Sequence, residues 1–276
     1  MTAQRLCILG DSHLGAVNLA WDGLRSHYPE LRVDRFPTPG GLIRRTKLVR
    51  RTIVPTSEKV SGYWQRANGD VTEIVLDEYD AVVLVGYGSS PFSHARLLRS
   101  HSLSGFRAAN KNRAIISRGA LVATLEDRLR DKKSYRYSRV MSEKAGLPLF
   151  IIPTPRPVSA RLTSGDLKWM GKTVPREELE EYQACFDSAF TTVLSEINGE
   201  LLAQPMATRE GGLFSRPEFK RNGAGVLRDV SKPGRVDNVH MNVDYGRAVL
   251  QAHLPTIVAA ISARREGAIQ RSHVGS

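Results

Sequence analysis

Leu6-Cys7-Ile8-Leu9-Gly10-Asp11-Ser12-His13, close to the start of the 276-residue chain, joins an apolar run to a polar turn. Leu6 to Leu9 have the length and content of a buried strand, and from Ala16 the spacing becomes helical. Ser12 thus falls where a strand ends and a helix begins. In an open α/β sheet that is the carboxyl edge, where such folds carry their chemistry. A serine there becomes a nucleophile only when a base reaches it. The base this chain offers is distant: His240 in Asp237-Asn238-Val239-His240, with Asp237 on the same loop to orient it.

Between these two stretches the pattern alternates strand and helix. Ala16 to Ser26, with Leu19, Trp21 and Leu24, reads as a short amphipathic helix, and Leu31-Arg32-Val33-Asp34-Arg35-Phe36 alternates as a second strand. Pro37-Thr38-Pro39-Gly40-Gly41 is a turn. Val60 to Arg66 and Val71 to Leu76 flank Asn68-Gly69, which predicts an antiparallel hairpin inserted within about 42–80. Ala81-Val82-Val83-Leu84-Val85 is the clearest central strand, ending at Gly86-Tyr87-Gly88-Ser89-Ser90-Pro91. Helices are expected from Ser93 and from Arg118 to Lys144, stopped by Gly146 and Pro148, before a fourth strand at Leu149-Phe150-Ile151-Ile152. Residues 156–175 read as loop, Glu177 to Leu202 as a long helix, and 203–236 as irregular, with Leu201-Leu202-Ala203 able to begin a short last strand. A final helix spans Asn242 to Arg264, and residues 266–276 read as a mobile tail. The sum is one α/β domain, residues 1–265: a three-layer α/β/α sandwich around a mainly parallel, flavodoxin-like sheet.

Composition narrows the classes. Hydrophobic residues at 41% and charged residues at 25% are ordinary for a globular chain. Cys7 and Cys185 are too few for a disulfide framework and read as free thiols. No stretch approaches the roughly 18 apolar residues of a membrane helix. No charged-then-apolar leader precedes the first strand, so a cytoplasmic protein is expected. Forty Lys plus Arg against 28 Asp plus Glu leave a net charge of +12, a balance suited to an anionic partner. The excess gathers at Arg44, Arg45, Lys47, Arg50 and Arg51, and again at Arg128, Arg130, Lys132, Lys133, Arg136 and Arg139. Tyr135 and Tyr137 interleave the second cluster, as a nucleic-acid surface would have them. Asp127 and Asp131 are interspersed as well, and no nucleic-acid motif accompanies either cluster. A solvated helix face is the favoured reading, and nucleic acid is not the expected partner.

Gly10-Asp11-Ser12 after the first strand, with Asp237-x-x-His240-x-Asn242, Gly246 and the apolar-spaced Val249-Leu250 at the far end, resembles the SGNH (GDSL-type) hydrolase superfamily. The resemblance covers most of the chain in outline and is specific at its two ends. It implies the SGNH form of the α/β/α fold and a serine-dependent acyl-ester hydrolase or acyltransferase that uses no cofactor or metal. Ser12 would be the nucleophile, His240 the base and Asp237 its orienting acid. The Ser12 backbone N–H would be one oxyanion donor, and Gly40 or Gly41 would supply a second. The third family block departs from the pattern: Gly-x-Asn-Asp is expected after the central strand, and Gly86-Tyr87-Gly88-Ser89 stands there. Gly88 replaces the asparagine that completes the oxyanion hole, a donor worth about 3 kcal/mol of transition-state stabilisation elsewhere. Ser89, Ser90 or a backbone N–H is left to substitute. His13, where many relatives have leucine, is similar to acyltransferase-associated branches that modify polysaccharides. That implies O-acetyl groups of a carbohydrate, neutral or anionic, as substrate; the same residue also reads as packing beneath the turn.

Two other readings stay open on the residues alone. Asp11-x-His13-x-Gly15 also resembles the opening of the calcineurin-like metallophosphoesterases, whose Asp and His bind metal. Gly69-Asp70-Val71-Thr72-Glu73 follows that family's second block only loosely, and no Gly-Asn-His occurs. A chain of SGNH type that has lost hydrolysis would instead bind an anionic glycan or nucleic acid through its basic clusters. Oligomeric state has no signature in the sequence.

Overall fold

The structure, a computed structural model, describes residues 3–87, 89–106, 113–164, 167–221 and 239–274. Its strands are β1 (Gln4–Gly10), β2 (Leu31–Pro37), β3 (Thr46–Val49), β4 (Thr52–Pro55), β5 (Ile74–Val75), β6 (Ala81–Val85), β7 (His101–Leu103), β8 (Ala114–Ile116), β9 (Leu149–Ile152), β10 (Gly199–Leu201), β11 (Arg209–Glu210) and β12 (Phe214–Ser215). Its helices are α1 (Leu14–Leu24), α2 (Glu58–Asn68), α3 (Leu97–Ser100), α4 (Arg118–Arg130), α5 (Lys133–Arg139), α6 (Ala160–Ser164), α7 (Lys168–Thr173), α8 (Arg176–Ser195) and α9 (Val243–Val274).

Five strands in the order β2-β1-β6-β9-β10 form the main sheet, and every neighbouring pair is parallel. Alternation along the strands divides the apolar residues between two cores. Cys7, Leu9, Val82, Leu84, Leu149 and Ile151 face a core closed by residues of α2, α4 and α8. Leu6, Ile8, Val83, Val85, Phe150 and Ile152 face a second core closed by α1 and α9. The result is a three-layer α/β/α sandwich, as the continuous apolar runs require. From β1 the chain goes outward to β2 and then returns to β6 on the other side, so the strand order reverses between β1 and β6. A crevice opens at the carboxyl ends of strands that part in this way. Ser12 stands on its rim.

The insertion between β2 and β6 departs from expectation. Val60 to Arg66 is helix, part of α2, and not a strand. Val60 and Trp64, four residues apart, are both fully buried, a spacing that puts them on one helical face. Trp64 lies edge-on to Phe36 with ring centroids 5.2 Å apart, a contact worth about 1 kcal/mol beyond its burial. Gly69 at φ +71° ends that helix, so Asn68-Gly69 serves as a helix stop, a role for which the same residues are equally suited. Asn68 does a second job: its side chain accepts from the Arg35 N–H and donates to the Arg35 carbonyl, both at 2.7 Å. That covers part of the open edge of β2. The antiparallel hairpin of the insertion is β3–β4, with β5 as a third strand.

Four boundaries also move. The helix expected from Arg118 to Lys144 breaks after α4; Lys132 is extended (φ −72°, ψ 140°), α5 follows, and Val140–Lys144 is a π-helical turn. Within 156–175, read as loop, the chain forms α6 and α7. α8 ends at Ser195, before Asn198 at φ +47°, and β10 starts at Gly199 rather than Leu201. α9 continues past Arg264 through Val274, and Arg265 pairs with Asp80 at 2.6 Å. Among the described residues no helix is long and apolar enough to cross a membrane.

Candidate active site

After β1 the chain makes a tight turn, Asp11-Ser12-His13, and enters α1 at Leu14. Gly10 is required here, since a Cβ on it would lie 2.7 Å from the Leu14 Cβ. The Asp11 carboxylate organises the turn. Its Oδ1 accepts from the His13 N–H at 2.9 Å and its Oδ2 from the Tyr87 N–H at 2.6 Å. The Asp11 N–H in turn donates to the Val85 carbonyl at 3.1 Å. The serine turn and the turn after β6 are thereby stitched together through one side chain. Gly86, at φ +84°, leaves room for it; a Cβ there would meet Asp11 Oδ1 at 2.2 Å. Ser12 is partly exposed at this seam.

The corner beyond Gly86, where the resemblance leads one to expect an asparagine, is organised around Tyr87. This residue sits at φ +58°, a conformation that costs energy in a non-glycine residue and persists only when the surroundings hold it. They hold it from three sides. Asp11 takes its N–H, Lys132 Nζ donates to its carbonyl at 3.2 Å, and its phenol lies 2.8 Å from Thr38 Oγ1. Thr38 itself donates to the Gly10 carbonyl through its N–H (2.7 Å) and its hydroxyl (3.2 Å). Burial pushes the Tyr87 phenol well above its ordinary value, so it remains a neutral donor to Thr38. Burial also pulls the Lys132 ammonium down to about 8, against the opposing attraction of Asp11. Thr38, Tyr87 and Lys132 had no individual signal in the sequence; Lys132 lies in a run read as a solvated helix face.

The expected oxyanion residues divide. Gly88 lies outside the described residues. Ser89 is buried, and its hydroxyl donates to the Gly86 carbonyl at 2.6 Å while accepting from the Thr154 N–H at 3.2 Å. Its proton therefore serves the turn. Gly40 and Gly41 follow β2 at φ +61° and +77°, exposed, with open space around both.

The C-terminal loop reaches this edge. Lys220 and Met241 form an antiparallel bridge, and the Arg221 N–H donates to the His240 carbonyl at 3.0 Å. Asn242 caps α9: its Oδ1 accepts from the Tyr245 N–H at 3.0 Å and its Nδ2 donates to the Glu218 carbonyl at 2.8 Å. Gly246 then lets α9 press onto α1, since a Cβ on it would stand 2.1 Å from the Ala16 carbonyl oxygen. These contacts bring the His240 ring to 5.3 Å from the His13 ring, centroid to centroid. His240 thus stands against the residue next to Ser12. Among the described residues no hydrogen bond joins Ser12 Oγ to His240; such bonds are often long in unliganded sites and tighten with substrate. Asp237 lies outside the described residues.

Beside His13 a cleft of about 440 Å³ extends toward Trp169, lined also by Phe92, Arg96, Arg99 and Arg161. These residues come from separate segments, and the sequence alone does not group them. Among the described residues no cluster of three His, Cys, Asp or Glu side chains is placed to share a metal ion.

Strand order, switch-point crevice and edge serine define a doubly wound α/β/α protein with its candidate chemistry between β1 and β6. No family model matches the chain, and no curated protein matches it. Among solved structures it is similar to the periplasmic domain of a lipopolysaccharide acetyltransferase from Salmonella ser. Paratyphi A (12% identity, 93% of this chain and 84% of that one, TM-score 0.44). It is also similar to a GDSL-like lipase from Bacteroides thetaiotaomicron (11% identity, 94% and 89%, TM-score 0.39). A third similarity is to an acetyl xylan esterase from Geobacillus stearothermophilus (14% identity, 95% and 97%, TM-score 0.38).

Proposed function

We infer that this protein is a serine-dependent acyl-ester hydrolase or acyltransferase of SGNH type, acting on O-acetyl groups of a carbohydrate. Ser12 is the nucleophile, His240 the general base and Asp237 the acid that orients it. The observation that carries this reading is the 5.3 Å approach of the His13 and His240 rings. It supports a working partnership between two sequence blocks more than two hundred residues apart. In the reaction, Ser12 Oγ attacks the acyl carbonyl carbon as His240 takes its proton. The tetrahedral intermediate collapses, the C–O bond to the leaving alcohol breaks, and His240 returns the proton to that alcohol. Water or an acceptor hydroxyl then attacks the acyl-serine, with His240 again taking and returning one proton. The Ser12 N–H is one donor to the oxyanion, and Gly40 or Gly41 supplies a second.

The metal-dependent alternative needs Asp11 as a ligand. Both of its oxygens are instead engaged by backbone N–H groups, which favours the serine reading. The carbohydrate assignment rests on the Gly-Asp-Ser-His turn and the polar cleft beside it. Release of acetate from an acetylated oligosaccharide, measured for the wild type and for Ser12→Ala, tests the proposal. Turnover that disappears with Ser12→Ala supports it. Turnover that survives the substitution and requires added Mn²⁺ overturns it in favour of a metallophosphoesterase-like site.

A further inference from the structure

We propose that the cleft from His13 to Trp169 is a binding site for an acidic oligosaccharide, with Arg96 and Arg99 holding the carboxylates of its sugar rings. The inference rests on the reading of Ser12 as an acyl-transfer nucleophile and names the class of carbohydrate that this site takes. The cleft, at about 440 Å³, lies within the ~300–1,000 Å³ of small-ligand sites. A second depression of about 300 Å³ adjoins it and shares Arg99 and Trp169 with it, so the path continues beyond one ring. One end is at His13, next to Ser12.

Charge and shape select the ligand. Arg96, Arg99 and Arg161 line the cleft, and among its described lining residues there is no Asp or Glu. Arg96 and Arg99 are exposed, and neither makes an ion pair with a described residue. Much of the cationic surface elsewhere is neutralised locally: Arg130 pairs with Glu126 and Glu196, Arg136 with Asp131, and Arg139 with Glu143. The Arg96 and Arg99 guanidiniums are therefore available for an external anion, and their planar fork matches a carboxylate. Arg99 lies over the Trp169 ring at 4.7 Å, at the junction of the two depressions. Half-buried Phe92 adds an apolar face suited to the flat side of a sugar ring. A partly open cleft of this volume with a single free ring face fits a short saccharide, whereas a nucleic-acid strand needs a groove that tracks its backbone with successive stacking platforms.

The test is binding of trigalacturonate and of neutral galactotriose to the Ser12→Ala full-length chain, by calorimetry and by tryptophan fluorescence. Trp21 and Trp64 are buried in the cores, so Trp169 reports on the cleft. The expected result is saturable binding of trigalacturonate that changes Trp169 emission, at least about tenfold weaker binding of galactotriose, and a loss of about tenfold or more in Arg96→Gln/Arg99→Gln. Thermal unfolding of that double variant, unchanged because both side chains are exposed, shows that the loss is local. Equal affinity for acidic and neutral trisaccharides, no binding of either, no effect of the double substitution, or tighter binding of a short single-stranded DNA overturns the proposal. Fluorophosphonate labelling of the wild type reads Ser12 separately. Labelling without acidic-saccharide binding overturns the cleft assignment alone, and saccharide binding without labelling supports the cleft while removing the hydrolase.

Discussion

Replacing Lys132 with methionine should stabilise the fold at neutral pH while impairing the site. Burial lowers the ammonium from 10.5 to about 8 in the folded chain, even with Asp11 pulling the other way. At about 1.4 kcal/mol per tenfold change in proton affinity, holding the charge there costs roughly 3 kcal/mol relative to the unfolded chain. Lys132→Met removes this cost. It also leaves the Tyr87 carbonyl without its ammonium donor, a loss of about 1–3 kcal/mol. The net change is a gain between zero and about 2 kcal/mol at pH 7. The pH dependence carries the sign. Below pH 8 lysine is protonated in both states and the penalty is present in full. Between pH 8 and 10.5 the folded state sheds the proton first, the unfolded state binds more protons, and wild-type stability rises with pH. The advantage of the methionine variant should therefore shrink across that interval. Urea unfolding of both proteins at pH 7 and pH 10 measures it, and acylation of Ser12 measures the accompanying loss of the Tyr87 corner. A methionine variant less stable than the wild type at pH 7, or a gap that does not narrow with pH, would overturn this prediction.

Two further substitutions probe how the serine turn is held. Asp11→Asn keeps the shape but turns one acceptor into a donor facing a backbone N–H; a loss of about 1–3 kcal/mol in urea unfolding and a marked fall in Ser12 acylation are expected. Gly246→Ala puts a Cβ where the Ala16 carbonyl stands, 2.1 Å away, so α9 must lift from α1 and carry His240 with it. Circular dichroism should show the helices retained, while the reactivity of Ser12 falls.

How much of this was legible in the sequence follows from which forces act locally. β1, β6 and β9 are buried on both faces, so their apolar runs announced them. The placement of Ser12 at a strand end and of His240 just before a helix was legible because each carries a local pattern. Asn68-Gly69 misled because ending a helix and turning a hairpin call for the same residues, and the burial of Val60 and Trp64 on one helical face decided between them. Lys132 could not be read, because its role is set by a helix break and by Tyr87 and Asp11, distant in sequence. The arginine cleft assembles Arg96 beside α3, Arg161 in α6 and Trp169 in α7, and nothing along the chain links them before folding.

The most direct measurement is the site of covalent labelling by a fluorophosphonate, read by mass spectrometry of the intact chain and its peptides at neutral pH. One equivalent of adduct is expected on the peptide carrying Ser12, none in Ser12→Ala, and labelling slower by about a hundredfold or more in His240→Ala. A correctly folded wild-type chain that takes up no label, or one labelled at another serine, would contradict that expectation.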